Sequence, residues 1–460
     1  MKHLALPALA ATSLICGCAI APVPATSGVA PPAAFAQAPA TAMEPVAEFW
    51  RAFGDRELDA LVSEALAANR DLRVAAARVA EARASARISD ALTRPTIDVT
   101  ASAARTRQRD GDGDPATGNA FGAGLAARWE IDLFDRLAHE QRAAAATVLA
   151  TEAQRRAVQV SVAAELARNY FELRGLQEQL RVVTLDLAGQ REALRLVRAR
   201  EEVGRGTALD TARATALVEG TAAGVPALET ALARTRMRLA VLSGLPPAAL
   251  DARLAAAQPL PGLPATPLGA IGSPATLLAR RPDVAAAEAQ LRAAEARAGS
   301  SRGALYPSIT LAGTLGLNAG RVGDLGDSAS FAYSLGASLL WSLVDHGQRR
   351  AQVDAADARR EAALAQFEQT VLAALEETEG ALAGFNRSQQ RTEHLFAAAR
   401  AAEAAAQIAR ARFEAGSIDF LALLDAEREL LQARERLAQG QTAAATALVG
   451  VYRSLAGGWR

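Results

Sequence analysis

The sequence predicts an α+β chain built from two copies of one unit, each a short helical stretch, a β-hairpin and a long antiparallel helix pair. Three observations lead there. Landmarks recur at a constant spacing of 212 residues: Asp71 and Asp283, Pro95 and Pro307, Trp129 and Trp341, Gly204 and Gly416. After each of the two prolines the hydrophobic period changes from helical to alternating. Proline-free helical patterns then run from Arg136 to Glu202 and from Gln348 towards the end, far beyond the usual helix of about 11–12 residues.

At the start, Lys2 and His3 precede an apolar run from Leu4 to Ile15, too short to span a membrane as a helix. Residues 1–17 are expected to be a signal peptide. Cys16 and Cys18 are the two cysteines, and Ile15-Cys16-Gly17-Cys18 resembles a bacterial lipoprotein box. Cleavage after Gly17 leaves Cys18 as the lipidated residue and rules out an internal disulfide. The alternative is plain secretion with cleavage further on. Residues 18–45, rich in Pro and Ala, are expected to form a tether.

The first repeat is assigned 46–244: a helix at 55–90, a hairpin within 96–133 and a helix pair at 136–243. The linker 245–273 is expected to run over the surface. The second repeat is assigned 274–460: a helix at 274–304, a hairpin within 308–344 and a helix pair at 348–455. In Pro282-Asp283, proline suits the first helical turn and the acid suits the helix dipole. Gly204 and Gly416 mark the bends of the two pairs, as C-terminal glycines do. Pro226 is expected to kink the first return helix.

In 121–133 and 331–343, and in shorter stretches at 96–104 and 308–317, odd positions are mostly apolar or aromatic, including Phe121, Trp129, Phe331, Tyr333 and Trp341, and the polar, glycine-rich spans 105–120 and 318–330 are expected to be loops. Even positions are mostly small or polar. Such strands, about 10 residues long with aromatics near their ends, fit an outer-membrane barrel. Four strands cannot close a barrel, which needs about eight, and open edges are not tolerated in lipid. Several subunits must therefore share one barrel.

Acidic and basic residues balance at 50 each, which gives no global field for nucleic acid. Lys2 is the sole lysine, and aromatics make up 4%. Alanine, the best helix former, is abundant and lets helices approach closely. No catalytic constellation emerges. His139, His346 and His394 lack cysteine partners and metal spacing, and Glu376, Glu377 and Glu379 read as a solvated face. No enzyme activity, cofactor or metal is expected.

Ordered matches, among them FWRAFGDRELDALV, WEIDLFDR, AELARNYFELRGLQ, LLARRPDVAAAEAQLRAA, LYPSITLAG, LLDAERELLQAR and YRSLAGGW, run from Phe49 to Trp459. On these the chain resembles an outer-membrane efflux protein of the TolC type, in the lipoprotein (OprM/NodT-like) branch serving resistance-nodulation-division pumps. The resemblance implies a homotrimer with a 12-stranded barrel above a helical coiled-coil tunnel in the periplasm. It implies a periplasmic adaptor (membrane fusion protein) and an inner-membrane pump as partners, with outer-membrane lipid around the barrel. It also implies a passive exit duct for small molecules, gated at the helix bends. Asp425 and Arg428 in LLDAER, with Asp210 in TALDTAR, match the family's gate charges. Phe413 stands where a tyrosine is frequent, and Ala422 where some relatives carry a second acidic ring. Gly204 and Gly416 would face the adaptor. A protein-secretion duct and a pore-less coiled-coil lipoprotein are the alternatives.

Overall fold

The computed structural model describes residues 29–37, 48–109, 115–264 and 273–455. The signal segment, Cys18 and most of the tether lie outside the described residues. The chain divides into two compact units, one with residues 78–152 and 286–369, the other with 29–77, 153–285 and 370–460. The elements in order are α1 (Arg56–Ala68), α2 (Arg70–Ala91), β1 (Thr96–Arg109), β2 (Pro115–Ile131), α3 (Arg136–Glu202) and α4 (Ala208–Leu242). They continue with α5 (Pro274–Arg280), α6 (Pro282–Gly303), β3 (Ser308–Ala319), β4 (Phe331–Leu340), α7 (Gln348–Glu414) and α8 (Phe420–Leu455). α3 and α7 are each 67 residues long, about 100 Å at the α-helical rise.

The first unit holds one antiparallel sheet in the order β1-β2-β3-β4. Its register pairs like parities throughout: Val99 with Leu125, Leu125 with Leu315, Leu315 with Tyr333. All odd positions thus share one face, and Thr100, Gly124, Gly316 and Ala332 share the other. Gly124 and Gly316 are register partners, and a Cβ on either would stand 2.6 Å from a carbonyl oxygen of the opposite strand. Only glycine permits that approach. Every residue of β4 is exposed, and β1 and β4 are bare edges among the described strands.

β1 runs to Arg109 and β2 starts at Pro115, so much of the span 105–120 expected as a loop is strand, whereas at the other end of the sheet the strands stop earlier than alternation suggests, at Ile131 and Leu340 rather than 133 and 344. The residues that follow serve as helix caps. Asp132 accepts from the Ala138 backbone N–H at 2.7 Å, and Asp345 accepts from those of Gly347 (3.0 Å) and Arg349 (3.2 Å). Trp129 donates its indole N–H to the Thr93 carbonyl (3.0 Å), and Trp341 repeats this to Leu305 (3.1 Å). Both tryptophans thereby tie a strand end to the turn that precedes its hairpin. His139 is buried against Gly299, and burial followed by the Arg142 charge holds its pKa below the ordinary histidine value. It is a packing residue.

The second unit buries an aromatic core. Phe49, Trp50 and Phe53 sit in a 3-10 turn ahead of α1; Phe49 stacks on Tyr452 (5.1 Å) and Phe53 meets Phe171 (4.6 Å). Asp55 caps α1 and also accepts from the buried Tyr170 hydroxyl at 2.6 Å. The single helices expected at 55–90 and 274–304 are each broken, at Asn69 and Arg281. These residues are 212 apart and do the same work by different chemistry. Asn69 donates to the Leu242 carbonyl (2.8 Å), and Arg281 donates to the Ser454 carbonyl (2.7 Å).

The linker does not simply run over the surface. Leu250 and Leu254 are buried in the core. Gln177 donates to the Leu254 carbonyl (3.0 Å), and fully buried Arg174 donates to Ala256 (3.3 Å) and Gln258 (3.2 Å). Pro226 lies inside α4, which is unbroken there. Two smaller clusters continue the packing along the helices. One is largely alanine (Ala399, Ala402, Ala406, Ala433, with Leu430) and the other contains Phe413 and Phe420. Small side chains at these seams explain how a chain with few aromatics packs such long helices.

Candidate functional site

The two helix bends have the same construction. Gly204 (φ 72°) and Gly416 (φ 73°) are both left-handed, the conformation that L side chains avoid. Around each, a Schellman-type turn closes the helix. Arg205 N–H donates to the Arg200 carbonyl (2.8 Å) and Ser417 N–H to that of Arg412 (2.9 Å). Both glycines are exposed.

Beside the bends lies an apolar cluster of Leu187, Leu194, Val197, Ala214, Val218, Phe413, Phe420, Leu423 and Leu424. Phe413 is buried there, 5.8 Å from the ring of Phe420. The Arg200 guanidinium sits 4.1 Å from the centre of the Phe413 ring and also donates to the Phe413 carbonyl at 3.0 Å. The arginine thus joins the end of the first long helix to the end of its copy. The missing tyrosine hydroxyl is not simply a lost contact, because the phenylalanine face takes a cation instead. Arg200 was missed in the sequence. Its signal was that Arg200 and Arg412 are copies, each in the last turn of its helix, where the dipole favours a cation.

Asp210 is local. It accepts from the Thr207 hydroxyl at 2.7 Å while Thr207 caps α4. Asp425 and Arg428 lie on the first turns of α8, exposed, and among the described residues neither makes an ion pair within the chain. The ion pairs of α8 use other residues. Glu427 pairs with Arg410 (2.7 Å from Nη2), and Arg434 pairs with Asp186 and with Glu403, both at 2.8 Å. Burial pushes the Asp186 carboxyl above its usual range against the pull of Arg434, and its Oδ2 is buried without a hydrogen bond. A cleft of about 440 Å³ lies here, lined by Asp186, Leu196, Arg410, Phe413, Glu427 and Arg434.

Of the three glutamates expected on a solvated face, Glu376 is exposed, but Glu377 and Glu379 are half-buried and paired. Glu377 accepts from Arg281 (2.7 Å) and also pairs with Arg453, and Glu379 accepts from the backbone N–H groups of Ala36 (2.7 Å) and Gln37 (3.2 Å). Among the described residues no cluster of His, Cys, Asp or Glu forms a metal site, and no helix is long and apolar enough to cross a membrane. Of the barrel aromatics, Trp129 and Trp341 lie at the helix end of the sheet, and Phe121, Phe331 and Tyr333 lie towards the hairpin turns.

The sequence profile described as outer membrane efflux protein matches residues 61–245 and 274–457, once in each repeat. The pyoverdine export outer membrane protein OpmQ of Pseudomonas aeruginosa is 33% identical, over 100% of this chain and 98% of its own length. The outer membrane protein OprJ of the same organism is 32% identical, over 89% of this chain and 86% of its own. Among solved structures, the outer-membrane channel OprN superimposes with a TM-score of 0.90 at 37% identity, covering 95% of this chain and 99% of OprN. The open state of the Neisseria gonorrhoeae channel MtrE gives 0.82 at 26% identity, covering 96% and 99%. The fold is that of trimeric channels in which each subunit gives four strands to a 12-stranded barrel, which resolves the two bare edges of this sheet. The repeats, the two-faced sheet, the paired helix bends and these relatives lead to one conclusion: the chain belongs to the outer membrane efflux protein family, as a subunit of an outer-membrane exit duct.

Proposed function

We propose that three copies of this chain form the outer-membrane duct of a tripartite efflux system, with the long helices making the periplasmic tunnel and the helix bends making its gate. The observation that carries this reading is the four-stranded sheet, apolar on its odd face and open at both edges. A lone subunit would leave two rows of backbone groups unpaired in lipid, and neighbouring copies pair them.

In this reading Asp425 and Arg428 face the tunnel. Their charges have no partner within their own chain among the described residues, so they are available to other copies around the threefold axis. Carboxylates converging there repel unless arginines or cations bridge them, and such bridges hold the aperture shut. Asp210 supports the same constriction from the first repeat. Gly204 and Gly416 present the bends to a periplasmic adaptor, and an inner-membrane resistance-nodulation-division pump supplies the cargo. Lipid on Cys18 anchors each subunit. Related proteins include ones of pyoverdine export, toluene efflux and cation efflux. One duct fold thus serves chemically unlike cargo, and selection rests with the pump.

The test is single-channel conductance in planar bilayers. The double variant Asp425→Ala, Arg428→Ala should open more often and conduct more than the parent. No rise removes the gate assignment. A protein that runs as a monomer in mild detergent, without heat-dependent migration, removes the shared barrel.

A further inference from the structure

The apolar face of the sheet carries an unexpected feature at its outer end. On β1 that face reads Ile97, Val99, Ala101, Ala103, then Arg105, Arg107 and Arg109. Parity is preserved across the register, so the three arginines project from the same face as Phe121, Leu315 and Tyr333. All three are exposed, and no described acidic side chain pairs with them. Arg321 adds a fourth. It is exposed and extended, two residues beyond Ala319, the register partner of Phe121. On the opposite flank of β2, Arg105 pairs with Asn119, two residues beyond Phe121. Arg105 and Arg321 therefore flank β2 at the same level.

Depth follows from strand geometry. Ala103 is the partner of Phe121, which stands nearest the turns in the register, with Phe331 and Tyr333 two and four residues further in, and so marks the outer limit of the aromatic girdle. At about 3.4 Å per residue, Arg105 stands about 7 Å past that girdle and Arg109 about 20 Å past it. With the usual strand tilt of about 40°, the stripe rises about 5 to 15 Å above the hydrocarbon. That is the depth of the lipid head groups, each layer of which is about 5 to 8 Å thick, and of the space just beyond. A guanidinium is suited to this setting, because its planar fork binds phosphate oxygens bidentately and its stem lies along apolar surface.

We propose that Arg105, Arg107, Arg109 and Arg321 form a binding stripe for phosphate-bearing, anionic lipid head groups of the outer leaflet. It grips the lipid belt around each subunit's first hairpin. Charge complementarity and depth select lipid as the occupant: the stripe continues an apolar face already committed to acyl chains. The inference rests on the barrel reading of the odd face.

The test uses the full trimer in detergent, titrated with short-chain phosphatidic acid and read by native mass spectrometry. One arginine near such a surface is worth about five-fold in affinity, so the triple change Arg105→Gln, Arg107→Gln, Arg109→Gln should weaken binding by about 100-fold. Arg128→Gln, on the other face of β2, should leave binding unchanged. Triple-variant binding within about two-fold of the parent overturns the proposal. So does displacement of the lipid by equimolar inorganic phosphate, which would make the stripe a site for free phosphate. Should the triple variant fail to assemble, Arg107→Gln alone decides: about five-fold weaker supports the stripe, and unchanged refutes it. Intact trimers that lose no lipid refute the stripe and leave the barrel standing; a parent that never forms trimers refutes the barrel itself.

Discussion

Replacing Arg281 by Met should damage the second unit more than any comparable surface change. The Arg281 side chain is 7% exposed and sits among three partners. It donates to Asp283 at 3.0 and 2.7 Å, to Glu377 at 2.7 Å and to the Ser454 carbonyl at 2.7 Å. Removing one partner of a buried pair costs about 3–5 kcal/mol. The carboxylates are only partly covered, with side-chain exposures of 39% and 33%, and Glu377 keeps Arg453, so the lower end applies. The expected loss is about 3 kcal/mol. The assay is the unfolding rate in detergent, a measure that holds even where unfolding is irreversible, followed by near-ultraviolet circular dichroism. A contact formed late in folding would speed unfolding by about 100-fold.

The pH dependence sharpens this test. Burial pushes Asp283 and Glu377 upward, and hydrogen bonds from the arginines, Arg281 on Asp283 and Arg453 with Arg281 on Glu377, more than offset it, so both sit below the ordinary carboxylate values. A depressed folded pKa contributes stability above the unfolded value of about 4, and that stability is lost as pH falls through the folded value. The gap between parent and Arg281→Met should therefore be full at pH 7 and narrow below about pH 4. A gap below about 1 kcal/mol at pH 7, or one that does not narrow in acid, refutes the argument.

Three further outcomes follow from the geometry. Gly416→Ala forces an L side chain to φ 73° and should cost about 1–2 kcal/mol, measured as faster proteolysis at the bend; an equally resistant variant would show that the turn relaxes freely. Trp129→Phe and Trp341→Phe each leave a carbonyl without its indole donor and should lower trimer stability by about 1 kcal/mol apiece, additively, in heat-dependent gel migration. Arg200→Ala removes both the ring contact and the hydrogen bond to Phe413, and should raise open probability in planar bilayers; unchanged gating would leave Arg200 as packing alone.

Much of this architecture was legible because it repeats. Helix starts at Arg136 and Gln348, strand starts at Thr96 and Ser308, and bends at Gly204 and Gly416 keep the spacing of 212 residues. Leu133 and Leu343 continue the alternation in sequence, yet the strands stop at Ile131 and Leu340, where the chain turns to bring Asp132 and Asp345 into capping. The linker looked solvent-exposed by its prolines, yet Leu250 and Leu254 plug the core. At the candidate gate, Phe413 was read as a loss because a hydroxyl is visible in sequence and a cation arriving from Arg200 is not.

By itself the sequence determined the duplication, the two periodicities, the face assignment of the strands and the glycine bends. These are local properties, set by backbone geometry over a few residues and by the parity of an even repeat. Only the tertiary structure decided which charges are partners. Arg434 meets Asp186 across 248 residues, and Arg281 meets Glu377 across 96. An arginine reaches several angstroms from its backbone, so its partner depends on the axial register of helices about 100 Å long, where one turn of slippage substitutes another acid. That register is set by the summed packing of alanine seams and aromatic cores, which no short stretch of the chain encodes.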